Sequence, residues 1–344
     1  MSDKTVLVTG AAGFIGSSFV EKIMKENPTY KIIVVDALTY AGNINSLSES
    51  IRNSPNFEFW HEDIRNEGLI NELVSRSDMV VHFAAESHVA RSIFSNRVFF
   101  ETDVLGTQSL GNAIVKNIDK IEKFIHISTS EVYGTAETVP MDENHPLNPT
   151  TPYASAKAGA DRLVYSYWKT YDIPATIVRP FNNYGPRQHL EKVIPRFITR
   201  LLRGETINIH GSGTASRDWL YVEDHCEALN LMLHASLEKV KGQTFNLGTK
   251  HDVNINEIAN TVIELIGGDK SLVNWAQERP GQVDRHIGDN TKAKNILGWQ
   301  PSTSFDEGIK KTVEWYRSNE SWWSRLEWMS NIPVRRPDGT IEFH

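Results

Sequence analysis

The chain has 344 residues and a formal net charge of −7, with 40% hydrophobic and 23% charged residues. This length supports one large or two ordinary domains with a buried core, and the lack of dense basic runs argues against nucleic acid or an anionic membrane as a partner. The only cysteine, Cys226, excludes an internal disulfide and favours a reducing compartment. No signal-peptide pattern and no apolar run near the roughly 20 residues of a membrane span are present, so we expect a cytoplasmic protein.

Short apolar segments alternate with segments of helical periodicity along the first half of the chain. The apolar segments are TVLVTG, KIIVVDA, FEFWHEDI, MVVHFAAES, KFIHISTS and PATIVRPFN. Most lack strict alternation, which is typical of strands buried on both faces. Helical periodicity lies between them, for example in IGSSFVEKIMKENP and TDVLGTQSLGNAIVKN. The pattern predicts an α/β fold with a doubly wound parallel sheet, in which ligands bind beyond the carboxyl ends of the strands.

After about residue 181, the alternation of apolar segments with helical segments becomes less regular. We therefore predict a dinucleotide-binding domain over residues 1–181 and a smaller C-terminal α/β domain over residues 182–344, which includes an aromatic tail. The smaller domain is expected to hold most contacts to a second ligand. Segments within about 217–249 are candidates to return to the sheet.

A glycine-rich turn follows the first apolar segment. Gly10, Gly13 and Gly16 have the spacing GxxGxxG between a predicted strand and a predicted helix, which allows a pyrophosphate to approach backbone N–H groups. The second strand ends at Asp36, where a carboxylate accepts hydrogen bonds from ribose hydroxyls and repels a 2′-phosphate. The turn therefore predicts NAD rather than NADP as cofactor, with Asp63 near the adenine edge.

A tyrosine and a lysine four residues apart form the predicted chemical pair. Tyr153 and Lys157 share one face of a helix in TPYASAKAGADRL. A nearby ammonium favours the phenolate, so we expect Lys157 to lower the pKa of Tyr153. Together with the hydroxyl-rich strand end ISTSEVYGT, this pair can remove the proton of a substrate alcohol while hydride leaves for NAD.

These motifs, with AAESHV, STSEVYG and NNYGP, resemble the extended short-chain dehydrogenase/reductase family. The closer resemblance is to nucleotide-sugar 4,6-dehydratases of the dTDP-glucose 4,6-dehydratase type. It is carried by AESHVARSI, VLGTQSL, FNNYGPRQHLEKVIP and RDWLYVEDH and covers roughly residues 5–300. It implies a Rossmann fold, NAD, a nucleotide-diphosphate sugar as substrate and a homodimer formed by helices around residues 103–118 and 153–170.

The resemblance also implies catalytic roles. Tyr153, assisted by Lys157 and Thr129, would remove the proton of the 4-hydroxyl, and Glu131 would remove the C5 proton before the 6-hydroxyl leaves as water. Return of hydride to C6 would give a 4-keto-6-deoxy sugar. Ser130 stands where dTDP-glucose enzymes have an aspartic acid, whereas GDP-mannose 4,6-dehydratases resemble this chain there. Either Glu131 handles both protons, or the substrate has no hydroxyl to lose.

Further binding residues follow from the resemblance. At the cofactor they are Phe14, Ile15, Ile64, Ala84 and Ala85, besides the residues named above. At the substrate they are Ser87, Asn182, Lys192, Val193, Arg217 and Arg279. Arginine suits this place because a guanidinium forms bidentate contacts with phosphate. Arg285 is less well placed, because RPGQVDR is closer to an epimerase pattern, and the histidines lack metal-ligand spacing, so no metal is predicted.

Two alternatives stay open. One is a nucleotide-sugar 4-epimerase, or a related keto-intermediate enzyme acting on UDP-GlcNAc-type or already dehydrated sugars. The other is a non-catalytic NAD-binding sensor. Glu131 favours elimination over epimerisation, and the joint presence of Thr129, Glu131, Tyr153 and Lys157 argues against a sensor. The sequence does not predict the nucleotide base or the C2 substituent of the sugar.

Overall fold

The computed structural model describes residues 3–276, 285–330, 333–335 and 340–343. The strands are β1 (Thr5–Thr9), β2 (Lys31–Asp36), β3 (Phe57–His61), β4 (Met79–His82), β5 (Lys123–Ile127), β6 (Ala175–Pro180), β7 (Asn182–Tyr184), β8 (Ile207–His210), β9 (Ser216–Tyr221), β10 (Thr244–Leu247), β11 (Asp252–Asn254), β12 (Val273–Ala276), β13 (Arg285–His286), β14 (Pro333–Arg335) and β15 (Ile341–Phe343).

Helices connect most of these strands. The α-helices are α1 (Phe14–Glu26), α2 (Glu49–Arg52), α3 (Glu67–Ser75), α4 (Val89–Phe94), α5 (Arg97–Phe99), α6 (Thr107–Lys116), α7 (Pro152–Tyr171), α8 (Val193–Leu202), α9 (Val222–His234), α10 (Leu237–Val240), α11 (Ile255–Ile266), α12 (Thr291–Leu297), α13 (Phe305–Ser318) and α14 (Glu320–Trp323). Short 3₁₀-helices span Ile44–Ser46, Ser130–Tyr133, Lys270–Leu272 and Ser324–Met329, and a π-helix spans Phe100–Gly106. None of the helices in the described ranges is both long and apolar enough to cross a bilayer.

A seven-stranded parallel sheet forms the centre of the molecule, in the order β10-β6-β5-β4-β1-β2-β3. Val8 of β1 pairs with Val34 of β2 on one side and with Val81 of β4 on the other. All three side chains are fully buried, as the near-continuous apolar segments predict for strands covered on both faces. The predicted α/β fold with a doubly wound parallel sheet is confirmed.

Helices cover the two faces of the sheet with separate apolar layers. On one face, Phe19 of α1 and Met232 of α9 belong to the layer that contacts β1 and β2. On the other face, Leu73 of α3, Leu110 of α6 and Val164 of α7 belong to the second layer. Burial of such side chains stabilises each helix by about 1.5–3 kcal/mol per fully buried large aliphatic residue. The two layers hold the strand ends, and the residues that follow them, in fixed positions.

The chain returns to this sheet after leaving it. β10 pairs in parallel with β6, with Phe245 opposite Val178, although residues 181–243 lie between the two strands in sequence. A second small sheet has the order β11-β9-β13, with β7 also paired to β9. It packs with α8, α11 and α13 around another apolar cluster that includes Phe197 and Trp219. The domain division at about residue 181 stays a prediction from the sequence.

The segment predicted as one helix over TDVLGTQSLGNAIVKN begins instead as the π-helix Phe100–Gly106 and continues as α6. Two features of the structure accompany the π-helix. The Thr107 hydroxyl donates to the backbone carbonyl of Asp103, and a Cβ on Gly106 would lie 2.4 Å from the Ile64 side chain. π-Turns occur often at functional sites, and this one places Asp103, only 1% exposed, in the interior.

Candidate active site

A cavity of about 890 Å³ opens at the carboxyl ends of the sheet strands and extends to α8, β8 and β9. Every predicted site residue within the described ranges lines it, namely Gly10, Gly13, Phe14, Ile15, Gly16, Asp36, Asp63, Ile64, Ala84, Ala85, Ser87, Thr129, Ser130, Glu131, Tyr153, Lys157, Asn182, Lys192, Val193 and Arg217. The remaining predicted residue, Arg279, lies outside the described residues. The fold thus brings the predicted cofactor, catalytic and substrate residues into one space.

The glycine turn after β1 is tightly packed. Gly10 has a φ of +72°, and a Cβ there would lie 2.5 Å from the backbone nitrogen of Ala84. A Cβ on Gly16 would lie 2.5 Å from the Gly10 carbonyl oxygen. Gly13 precedes α1, whose amino end has neither a capping side-chain hydrogen bond nor an acidic residue in its first turn. The first N–H groups of α1 and its dipole therefore suit a phosphate group.

Asp36 closes the other side of this part of the cavity. Its two carboxylate oxygens accept the backbone N–H groups of Ala12 and Leu38, both at 2.8 Å. Burial raises the pKa of Asp36, while these two hydrogen bonds lower it. Each oxygen keeps a second lone pair, which can accept a ribose hydroxyl. The glycine turn and Asp36 together fit the pyrophosphate and ribose of a dinucleotide.

Asp63, predicted near the adenine edge, is held by a neighbouring cation. Arg65 donates to both carboxylate oxygens, at 3.0 and 2.7 Å. Burial opposes ionisation, but these hydrogen bonds leave the pKa of Asp63 below its ordinary value. Asp63 is therefore an ionised acceptor at neutral pH.

Helix α7 positions the tyrosine–lysine pair. It begins at Pro152, after Thr151, whose side chain accepts the N–H of Ala154. Tyr153 lies in the first turn, where its own N–H donates to Ser92 Oγ at 3.0 Å. One turn later, Lys157 Nζ donates to the carbonyl of Ile127 at 2.8 Å. Because Ile127 is the last residue of β5, the lysine ties the catalytic helix to the strand end that carries ISTSEVYGT.

The pKa of Tyr153 is raised rather than lowered, contrary to the expectation from the Tyr153–Lys157 pair. Burial raises the pKa of the tyrosine, and the carboxyl groups of Asp103 and Glu131 raise it further, while a hydrogen bond with Thr129 acts in the opposite direction. Burial also lowers the pKa of Lys157, against the opposing effect of Asp103. Desolvation and two carboxyl groups that are distant in sequence thus outweigh the lysine four residues away.

Glu131 lies recessed in the cavity wall at the first turn of the 3₁₀-helix Ser130–Tyr133. Thr129 caps this turn by accepting the N–H of Glu131 at 3.2 Å. Burial raises the pKa of the Glu131 carboxyl, whereas the cations Arg217 and Lys192 lower it. A carboxyl with a raised pKa, facing a cavity, is suited both to accept and to return a proton near neutral pH.

An ion-pair network beneath the site joins the catalytic helix to the sheet. Arg179 of β6 donates to both carboxylate oxygens of Asp161 of α7, at 2.8 and 2.9 Å. The same guanidinium donates to the Tyr133 hydroxyl at 3.0 Å, which donates to Asn246 Oδ1 of β10 at 2.7 Å. Tyr153, Glu131 and the returning strand are therefore held in one framework.

The predicted substrate residues come from the second half of the chain, apart from Ser87. Lys192 Nζ donates to the Ser87 carbonyl at 3.0 Å and lies 3.1 Å from Glu191 Oε1. Asn182 and Arg217 lie on the paired strands β7 and β9. Arg285 is not among the cavity-lining residues, and its guanidinium instead pairs with Asp252 at 2.9 Å.

Sequence reasoning missed two residues of this region, Asp103 and His286. Burial raises the pKa of Asp103 to about 7, although Lys157 and a hydrogen bond from the Glu86 N–H (2.8 Å) lower it. His286 Nδ1 lies 3.4 Å from Ser130 Oγ. The local sequence gives little signal for Asp103, because it lies in a mixed segment that also contains Glu101 and Thr102. No local signal marks His286, because its position depends on the pairing of β13 with β9.

Comparison with known proteins identifies a family for this chain. A family model described as GDP-mannose 4,6 dehydratase matches residues 7–312. The chain is 42% identical to a low-salt glycan biosynthesis protein of Haloferax volcanii, over 92% of this chain and 99% of that protein. It is 41% identical to a dTDP-glucose 4,6-dehydratase of an Actinoplanes species, over 93% of this chain and 99% of that protein.

A solved structure agrees with these relatives. The crystal structure of a dTDP-glucose 4,6-dehydratase from Streptomyces venezuelae with NAD bound has a TM-score of 0.88 and 40% identity to this chain, covering 94% of this chain and 99% of that one. This likeness extends over the sheet, the cavity and the second, smaller sheet. The chain therefore belongs to the nucleotide-sugar 4,6-dehydratase family of the extended short-chain dehydrogenases/reductases.

Proposed function

We propose that this protein is an NAD-dependent nucleotide-sugar 4,6-dehydratase. It oxidises C4 of a nucleotide-diphosphate hexose, eliminates water across C5 and C6, and reduces C6 to give a 4-keto-6-deoxyhexose. The observation that carries this proposal is the Glu131 carboxyl, which lies in the same cavity as Tyr153 and Lys157. Inversion at C4 needs no acid or base at C5, whereas elimination does.

The cofactor end of the cavity, formed by Gly10, Gly13, Gly16 and Asp36, fits NAD. The uncapped amino end of α1 would hold the pyrophosphate, and Asp36 would accept the ribose hydroxyls. When bound, NAD supplies the hydride acceptor for C4 and the hydride donor for C6. The protein supplies the proton transfers.

Tyr153 is the proposed base for the 4-hydroxyl. The hydrogen bond with Thr129 opposes the upward shift of its pKa, and in this proposal the Thr129 hydroxyl orients the same substrate oxygen. Lys157, fixed by the Ile127 carbonyl, keeps its ammonium on the tyrosine side of α7. The resulting C4 ketone acidifies the proton on C5.

Glu131 is the proposed acid–base group of the elimination. It accepts the C5 proton and passes it to the oxygen on C6, which leaves as water. The raised pKa of the carboxyl favours the protonated form that makes the second transfer. Ser130 can hydrogen-bond the leaving oxygen but is a poor proton donor, so Glu131 carries both transfers.

Arg217, Lys192 and Asn182 are the proposed contacts to the diphosphate and the sugar, with Ser87 and Val193 completing the wall. Guanidinium and ammonium groups favour the two negative charges of a diphosphate. Arg279 is proposed to join them from outside the described residues.

A homodimer is the proposed assembly. Three large side chains of the π-helix and the adjoining α7 are exposed, namely Phe100 (42%), Leu105 (51%) and Tyr165 (37%). Such apolar exposure on neighbouring helices suits a second copy of the chain. Light scattering is expected to give twice the 38.9 kDa chain mass, and a monomer mass would refute the dimer. A cytoplasmic location stays a prediction, based on the lone buried thiol of Cys226.

The function is tested with a panel of dTDP-, UDP-, GDP- and CDP-hexoses. Mass spectrometry is expected to show loss of one water from the product, and NMR is expected to show a methyl group at C6. A product of unchanged mass with inverted C4 would replace the dehydratase by an epimerase. Glu131→Gln should slow water loss by about 100-fold or more, whereas the exposed neighbour Glu137→Gln should leave the rate unchanged.

A further inference from the structure

Ser130 is backed by a histidine from a distant part of the chain. Ser130 lines the cavity next to Glu131, and its Oγ lies 3.4 Å from Nδ1 of His286. His286 is 2% exposed and lies outside the cavity lining. The imidazole therefore contacts the serine hydroxyl from the side away from the substrate space.

The position of His286 is fixed by the backbone and by one ring. β13 pairs in parallel with β9, which brings His286 opposite Arg217. The next carbonyl, of Ile287, accepts the Met141 N–H at 2.9 Å. The imidazole also packs against the Phe181 ring at a centroid distance of 5.1 Å. The imidazole is thus held against Ser130 rather than free to turn away.

The surroundings of the ring indicate which nitrogen carries the proton. Burial lowers the pKa of His286 to about 3, with Arg217 adding to the effect, so the imidazole is neutral at working pH and has one N–H. Nε2 is buried and finds no hydrogen-bond partner within the described part of the chain. A buried N–H without an acceptor is rarer in native structures than an under-used acceptor. This asymmetry favours the Nδ1–H tautomer, in which the imidazole donates to Ser130 Oγ.

We propose that His286 is a positioning residue that fixes Ser130 as a hydrogen-bond donor to the oxygen leaving C6, an inference that rests on the proposed dehydration. Since Ser130 Oγ accepts from His286, its own O–H is free to point into the cavity. A hydroxyl that accepts one hydrogen bond is polarised and donates the next one more strongly.

The elimination then balances without an acid at position 130. Glu131 takes the C5 proton, the C5–C6 double bond forms as the C6–O bond breaks, and Glu131 returns the proton to the leaving oxygen, which departs as water. Ser130 and His286 keep their protons throughout. A serine suffices here because it stabilises the charge that develops on the leaving oxygen rather than supplying the proton.

The tautomer is tested first, because it does not depend on the reaction. Protein labelled with ¹⁵N-histidine is examined by NMR with cofactor added, and the His286 signals are assigned by their loss in His286→Phe. The expected result is an Nδ1–H tautomer whose shifts change in Ser130→Ala. An Nε2–H tautomer would overturn the proposal. So would His286 chemical shifts that are the same in Ser130→Ala and in the wild-type protein.

The kinetic test uses two replacements of the histidine. The amide of His286→Asn keeps an N–H near the place of Nδ1, whereas His286→Phe keeps a ring without any donor. We expect Ser130→Ala and His286→Phe each to lower kcat for water loss about 10-fold, the cost of about one hydrogen bond, with little change in KM. His286→Asn should retain most of the rate. The double variant Ser130→Ala/His286→Phe should be no slower than the slower single variant.

Additive losses, or equal losses for the Asn and Phe variants, would contradict the positioning role. Circular dichroism and cofactor titration of both histidine variants show whether the fold is intact. Failure of the wild-type protein to release water from any sugar would overturn the proposed function and the leaving-group role with it. The tautomer measurement still decides whether His286 donates to Ser130, so the two failures are distinguishable.

Discussion

The two ends of the cavity differ in how completely their buried polar groups are hydrogen-bonded. At the cofactor end, formed by Gly10, Gly13, Gly16 and Asp36, both oxygens of the buried carboxylate accept backbone N–H groups. At the dehydration end, around Ser130, Glu131 and Tyr153, several polar atoms are buried without a hydrogen-bond partner in the described ranges, among them Asp103 Oδ2, Ser128 Oγ and His286 Nε2. Native proteins leave few such atoms unpaired. The cofactor end is therefore built for a rigid turn, whereas the dehydration end keeps polar groups at a cost in stability.

The difference predicts that substitutions at the dehydration end mainly reduce activity and that substitutions of paired or tightly packed groups mainly reduce stability. The largest effect is expected for Tyr153→Phe, which removes the proposed base and should lower kcat about 1,000-fold. The urea midpoint of unfolding should change little, because the phenol is neutral at working pH in both the folded and the unfolded protein and the substitution removes only its hydrogen bond with Thr129. Tyr171→Phe, at the carboxyl end of the same helix where the side chain is 49% exposed, is the control. Steady-state kinetics and urea titration check both variants, and a large loss of stability in Tyr153→Phe would break the comparison.

A paired group beneath the dehydration end should behave in the opposite way. Asp161→Asn leaves the buried Arg179 without its bidentate partner, which typically costs about 3–5 kcal/mol of unfolding free energy. Arg179 and Arg162 hold the pKa of Asp161 below its ordinary value, against the effect of burial. Its contribution is therefore complete above the unfolded-state pKa of about 4 and is lost as pH falls through the lower folded-state value.

Urea titrations of Asp161→Asn and of the wild-type protein, repeated at several pH values, measure this difference. We expect it to be largest at neutral pH and to shrink in acid. Asp172→Asn is the matched control, since the Asp172 side chain is 80% exposed and pairs with Lys241 at the surface. Equal losses for the two variants would show that the buried pair contributes no more than a surface pair.

Two glycines with nearly the same φ, Gly10 at the cofactor end and Gly204 after α8, separate packing from backbone strain. Gly10 (φ +72°) has no room for a Cβ, while Gly204 (φ +71°) has nothing within 4 Å of that position. Gly204→Ala should cost about 1 kcal/mol for the left-handed conformation alone. Gly10→Ala should cost about 3 kcal/mol, because the clash with Ala84 adds to it. Urea unfolding measures both, and similar losses would mean that the turn relaxes around the added methyl group.

The smallest expected change in stability, that of Glu131→Gln, is the most direct test of the difference between the two ends of the cavity. Burial raises the pKa of Glu131 above its unfolded-state value, so ionisation destabilises the native state as pH rises through that interval. Glu131→Gln removes this penalty and should raise the urea midpoint slightly at alkaline pH, with no gain below about pH 4, where both forms are neutral. A variant that is slower in catalysis yet more stable would show directly that this end exchanges stability for function. A lower midpoint at alkaline pH would contradict it.

The sequence predicted the cofactor end well because its signals are contiguous. The glycine spacing, the strand that ends at Asp36 and the Tyr153–Lys157 pair each depend on a local pattern, and all of them line the cavity. The pKa of Tyr153 was predicted in the wrong direction, because Asp103 and Glu131 reach it only through the fold.

The features that sequence reasoning missed arise from packing between distant segments. Gly106, the last residue of the π-helix, lies close against the side chain of Ile64, and no helix propensity encodes that contact. The approach of His286 to Ser130 depends on the pairing of β13 with β9, a register that only tertiary structure fixes. Long-range contacts of this kind have no periodic signal in a single sequence.

The return of β10 to the sheet also sets the order in which the molecule can be completed during synthesis. A nascent chain that has emerged as far as Leu247 contains all seven strands of the large sheet and the whole glycine turn. It does not yet contain β13, which carries His286. Because chains fold from the amino terminus as they leave the ribosome, the large sheet and its glycine turn can form on the growing polypeptide. The residues proposed to act in water loss are complete only after β13 has been synthesised.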